Sequence, residues 1–191
     1  MGYREDRAWS DKYIPTIKKT VAPYLLVEAP ALVDMKRATD LILMKAKGIM
    51  LACRVRRPGY AEKYPYQFTL RVHRDNGTET EFVKIANGWA DWMFYGHAVS
   101  DDSTGIAPWF LIDLNLFRRQ LIIEESRRMV RRERGVSYGH ESNHDGTHFV
   151  WFDLRYFAPN PCVLIASSCD VPVIPDENNS TFPRRKGNEV E

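Results

Sequence analysis

The chain has 191 residues, 44% of them hydrophobic and 27% charged, with a formal net charge of +2. That length suits one domain of about 100 to 200 residues, and the balance excludes wholesale disorder and fibrous repeats. No run approaches the roughly 20 apolar residues that cross a bilayer, and MGYREDRAW lacks the apolar core of a secretory leader, so a soluble, cytoplasmic protein without a membrane partner is expected. Cys53, Cys162 and Cys169 form no CxxC pair and are expected as buried free thiols.

Residues 1–10 mix charges without periodicity, and 171–191 are polar and proline-bearing; both are expected to be flexible ends around a single domain spanning 11–170. Tyr13, Ile14, Ile17, Val21, Tyr24 and Leu25 fall near helical spacing and predict a helix over 11–27. Ser10 or Asp11 would cap it, Pro15 would sit in its first turn, and Pro23 would end or kink it. Short apolar segments at 39–44 and 49–56 around Lys47-Gly48 predict paired strands. In 67–74, Phe68, Leu70 and Val72 alternate with Thr69, Arg71 and His73, the pattern of a half-buried strand. Thr78 followed three residues later by Glu81 predicts a capping box and a helix over 79–87, stopped by Gly88. Strands are expected at 92–99 and 109–114 around a loop at 100–105. Asn115 then caps a helix over 116–134, and strands at 149–157 and 163–166 follow. The order predicts an α/β or α+β domain, with one central mixed sheet flanked by helices.

The near-neutral sum conceals an uneven distribution. Residues 36–63 hold eight Lys or Arg against Asp40 and Glu62, a local charge of +6, and 118–134 hold seven Arg against three Glu, a charge of +4. Such zones neutralise phosphates, although Glu124 and Glu125 are also placed to pair within an ordinary solvated helix. Period-two alternation over 49–57 puts Arg54 and Arg56 on one sheet face. Two neighbouring guanidinium groups call for an anion between them, and Asp40, Glu81 or a bound phosphate could supply it; a salt bridge from Arg54 to Asp40 that merely staples two strands is the structural alternative. Tyr60, Tyr64 and Tyr66 follow the basic strand and are placed to stack on bases, whereas Trp89, Trp92, Phe94, Tyr95, Trp109, Trp151, Phe152, Tyr156 and Phe157 read as core. His140, His144 and His148 have zinc-like spacing, but Gly139, Asn143, Asp145 and Gly146 predict a loop there, where that spacing loses its geometric meaning. There is no P-loop or GxGxxG motif, which argues against nucleotide hydrolysis and Rossmann redox chemistry.

The succession of a helix, a strand bearing Asp40, strands at 49–57 and 67–74, a helix at 79–87 and a strand at 92–99 resembles the αβββαβ core of the PD-(D/E)xK nuclease superfamily, the restriction-endonuclease-like fold. The resemblance covers residues 11–99 and leaves 100–170 as an elaboration, with a further helix and strands. Asp40 matches the family's aspartate, but Ala52-Cys53-Arg54 stands where acid-x-lysine is expected. The resemblance implies Mg2+ held by Asp40, with Glu81, or else Glu79, on the following helix as second ligand, and Lys84 or Arg54 stabilising charge on phosphate. Arg56, Arg57, Arg71 and His73 would grip a DNA backbone. The function expected is metal-dependent phosphodiester hydrolysis or DNA binding by a catalytically impaired relative; the alternative is a non-enzymatic module that binds nucleic acid or protein through its arginine-lined face.

Overall fold

The computed structural model of the protein describes residues 3–28, 41–43, 48–73, 79–131, 138–142, 146–157 and 162–174. The chain opens with helices α1 (Tyr3–Asp11) and α2 (Ile14–Val21), followed by a 3-10 turn, Ala22–Leu25. The expected helix therefore starts earlier and is broken in two. The break falls at Lys12-Tyr13, where the Tyr13 amide closes on the Ser10 carbonyl and the Tyr13 side chain is wholly buried. Pro15 lies in the first turn of α2, where its missing N–H costs no hydrogen bond. Strands β1 (Leu26–Glu28) and β2 (Leu41–Leu43) pair antiparallel with each other. Asp40 and Thr78 lie outside the described residues.

Two larger sheets form the body. One is a mixed four-stranded sheet in the order β3-β5-β6-β9, built from β3 (Leu51–Arg56), β5 (Trp92–Ala98), β6 (Ile106–Asp113) and β9 (Leu164–Ser167). In it β3 runs parallel to β5, and the remaining pairs are antiparallel. The second is an antiparallel sheet in the order β4-β8-β7, from β4 (Gln67–His73), β8 (His148–Asp153) and β7 (Tyr138–Ser142). The expected central mixed sheet is thus present, but β4 belongs to another sheet and does not continue a meander from β3. Helices α3 (Tyr60–Lys63), α4 (Glu81–Ala86) and α5 (Leu114–Arg131) complete the fold. Among the described residues no helix is long and apolar enough to cross a membrane.

Alternation along β5 divides the core. Met93 and Tyr95 join Phe68, Leu70, Phe110, Phe117, Val150 and Phe152 in a cluster between the sheets, whereas Phe94 and Ala98 face a second cluster with Tyr13, Ile17, Val21, Val55 and Leu111. Phe68 is central to the first, with ring centroids 5.1 Å from Phe152 and 5.2 Å from Phe117. Trp89, read as core from the sequence, is 63% exposed. Cys53 and Cys162 are exposed free thiols rather than buried ones.

Local details also depart from expectation. The cap of α5 is Asp113, whose carboxylate accepts from the amides of Asn115 (2.8 Å) and Leu116 (2.9 Å); the helix begins at Leu114, so Asn115 already lies inside its first turn. Helix α4 starts at Glu81 after Thr80, and the Glu81 carboxylate is held by Arg54 rather than turned back into a capping box. Residues 138–142 form a strand, not a loop, because Gly139 meets a steric need: a Cβ there would lie 2.6 Å from the Trp151 ring across the ladder. In the β5–β6 ladder Gly96 pairs with Trp109 and Ala98 with Ile106, so that two residues of β6, Ala107 and Pro108, stand opposite His97 alone.

Candidate functional site

The parallel register of β3 and β5 sets Ala52 beside Met93, Arg54 beside Tyr95 and Arg56 beside His97. Arg54 and Arg56 therefore share a face, as the alternation predicts, and they point toward β4. The guanidinium of Arg54 donates to the Thr69 carbonyl (3.1 Å) and pairs with the Glu81 carboxylate, which also accepts from the Arg71 amide at 3.4 Å. Glu81, one of the expected partners, is thus the carboxylate that pairs with Arg54 among the described residues. Arg56 donates to the Thr69 hydroxyl (2.8 Å), which in turn lies 3.2 Å from the Tyr95 hydroxyl. The Tyr60 ring covers Arg56, with the guanidinium carbon 4.0 Å from the ring centroid. Arg56 is held by a hydroxyl and an aromatic face, and this leaves its charge available to an anion.

Two concave spaces meet at Arg56. A groove of about 600 Å³ follows the edge of β3 and is lined by Arg7, Arg54, Arg56, Arg57 and Arg71 with Asp11 and Glu81. Trp9 and Phe149 add aromatic surface to it, and Arg57 stacks 4.6 Å over Trp9. Arg7 is paired with Asp11 at 3.5 Å. The second space, about 390 Å³, lies at the carboxyl ends of β3 and β5 and is walled by Arg56, Tyr60, Tyr64, Gln67, Thr69, Tyr95, His97, Glu141, Ser142, Phe149 and Trp151. Ligand sites in α/β folds favour this end of parallel strands, where backbone groups and side chains leave the ladder. Arg56, Tyr60 and Phe149 line both spaces.

His97 is 1% exposed, and among the described residues neither ring nitrogen has a hydrogen-bond partner. Burial, and secondarily the positive charge of Arg56, lowers its pKa to about 4, so the imidazole is neutral at pH 7. A buried ring with two unsatisfied nitrogens carries a desolvation cost that a ligand group could relieve.

Of the residues singled out in the sequence, Arg54, Arg56, Arg57, Arg71 and Glu81 converge on the groove. Lys84 is exposed on α4 and lines neither space. His73 is exposed at the end of β4 and packs against His148, with ring centroids 5.6 Å apart, and lines neither space. Asp40 and His144 lie outside the described residues. His148 meets the Ser142 hydroxyl (2.7 Å) across the β7–β8 hairpin, and among the described residues no cluster of three His, Cys, Asp or Glu side chains could hold a metal. Of the two carboxylates expected to hold Mg2+ with Asp40, Glu81 is paired with Arg54, and Glu79 accepts from the Asn87 side-chain amide at 3.3 Å. Arg118, in the second basic zone, donates to the carbonyls of Ile85 (2.8 Å) and Ala90 (3.2 Å) and so ties α5 to α4. Tyr60 and Tyr64 reach the cavity, while Tyr66 packs on the core and under Arg155. Sequence reasoning missed Arg7 and Trp9, because the first ten residues show no apolar period. It also missed His97, Thr69 and Glu141, whose roles depend on strand pairings distant in sequence. Comparison with protein families, with curated proteins and with solved structures gives no significant match for this chain.

Proposed function

We propose that this protein binds nucleic acid, with the sugar-phosphate backbone lying in the groove along β3. The observation that carries this reading is the gathering of five guanidinium groups, from α1, β3, the residue after β3 and β4, around one groove against two carboxylates. Guanidinium groups fit phosphate oxygens in pairs, and Trp9 and Phe149 supply faces for bases or sugars. The finer resemblance to the PD-(D/E)xK nucleases adds a hydrolytic form of the same reading, in which Asp40 and Glu81 hold Mg2+. What favours it is the position of Glu81 in the groove beside Arg54; the described donor set, one carboxylate already paired to a guanidinium, does not by itself make a metal centre.

The test is fluorescence anisotropy of labelled DNA and RNA oligonucleotides over a salt series. Log affinity is expected to fall linearly with log salt, with a slope of about −0.7 to −0.9 per phosphate contacted, and Arg57→Ala should make the slope shallower by about 1. Absence of salt-dependent binding at roughly 50 mM salt removes this function. Strand cleavage that needs Mg2+ and is lost in a folded Asp40→Ala variant would establish the hydrolytic form; binding without cleavage leaves a binding module.

A further inference from the structure

The groove does not account for the second space. Apart from Arg56 its wall is aromatic and amphipathic: Tyr60, Tyr64, Phe149 and Trp151 contribute aromatic side chains, and Gln67 and Glu141 an amide and a carboxylate. Resting on the reading of the groove as a phosphate track, we propose that this cavity takes one unstacked nucleobase, so that the preferred ligand is a single strand or a splayed end rather than a closed duplex.

Four observations carry the proposal. The volume, about 390 Å³, falls near the lower end of the roughly 300 to 1,000 Å³ of cavities that enclose small ligands, and it is too small for a second strand beside the first. The aromatic rings supply stacking, which tolerates any base because every base has a π-face. Gln67 and Glu141 present donors and acceptors of the kind that read the edge of an extruded base, and His97, 1% exposed with both ring nitrogens unpartnered among the described residues, leaves unused hydrogen-bonding capacity in the same wall. Finally, Arg56 borders both spaces, so a nucleotide with its base in the cavity brings its own phosphate to the guanidinium that opens on the groove. In a closed duplex the bases are paired and stacked, and none reaches a side cavity without first being flipped.

The same chemistry, an aromatic base joined to a phosphate, is presented by a free nucleotide, and the experiment separates the two sources. Anisotropy is measured on a labelled closed hairpin, on the same hairpin with an eight-nucleotide overhang, and on the free single strand, for the wild-type chain and for Tyr64→Ala; nucleoside monophosphates are titrated calorimetrically alongside. Tyr64 is 47% exposed, so its truncation spares the fold, and circular dichroism verifies this. The expected result is tighter binding of the overhang and the single strand than of the closed hairpin. Tyr64→Ala should weaken the first two roughly tenfold while leaving hairpin affinity and the salt slope unchanged. Equal affinity for all three ligands, unaltered by Tyr64→Ala, overturns the base-pocket proposal and leaves the groove reading standing. Micromolar binding of a monophosphate with no gain from a strand reassigns the cavity to a free nucleotide and overturns it as well. No salt-dependent binding of any polymer removes the groove reading and this one together.

Discussion

The inner face of the β3–β5 pair has two unlike ends. At one, Ala52 stands beside Met93 and packs into the cluster around Phe68; at the other, Arg56 stands beside His97 and opens on a cavity. The β3–β5 register is unbroken along the whole pair, so within that register it is the side chains that distinguish the two ends. Apolar residues in the inward register close one end into core, and polar residues in that register keep the other from closing. The inward positions of the open end are therefore the place to look for specificity, and those of the closed end for stability.

The largest effect expected at the closed end is that of Phe68→Ala, which should cost about 3 to 5 kcal/mol in chemical denaturation, because the ring is fully buried between Phe117 and Phe152. At the open end, His97 should make stability depend on pH. Its native pKa of about 4 lies below the ordinary value of 6.5, so the unfolded chain takes up the proton first. Stability should then be full above pH 6.5 and decline as pH falls toward 4, by at most about 3 kcal/mol; urea midpoints at pH 7 and pH 5 in wild type and His97→Phe measure this, the variant being expected to lose the dependence. Arg118→Met, which removes the donors to the Ile85 and Ala90 carbonyls, should lower stability by about 1 to 3 kcal/mol without altering oligonucleotide affinity. If affinity falls in step with stability, the two ends are not separable. The smallest effect belongs to Glu81→Gln: its pair with Arg54 has side chains 21% and 44% exposed and should contribute less than about 1 kcal/mol, while the lost negative charge should tighten phosphate binding in the groove.

Period-two alternation made part of this legible. Arg54 and Arg56 could be placed on one face, and the strand at 67–74 was readable, because each pattern is local and strands enforce it. Pairing between strands distant in sequence is not local. The partition of β3 and β4 into separate sheets, and with it the pairing of Arg54 with Glu81 among the described residues, depends on which strands meet. The aromatic density of 92–99 pointed correctly to a buried strand but hid His97 within it. Gly139 was misread for a related reason: glycine signals a turn in isolation, and only the Trp151 ring across the ladder reveals why a strand needs it there.

The bulge opposite His97 has a consequence for how the pocket can be altered. Ile106 and Trp109 pack on the same cluster although they are three positions apart, which a regular strand would not allow; the extra residue in β6 makes it possible. Deleting Ala107 would set them two apart, the spacing at which an unbulged strand keeps both on that face. A single deletion should thus leave the apolar packing in register while changing only what lies across from His97. The packing behind His97, a wall residue of the cavity, is in this sense governed by chain length, and variants that differ by one residue in β6 change it with no substitution in the cavity wall itself.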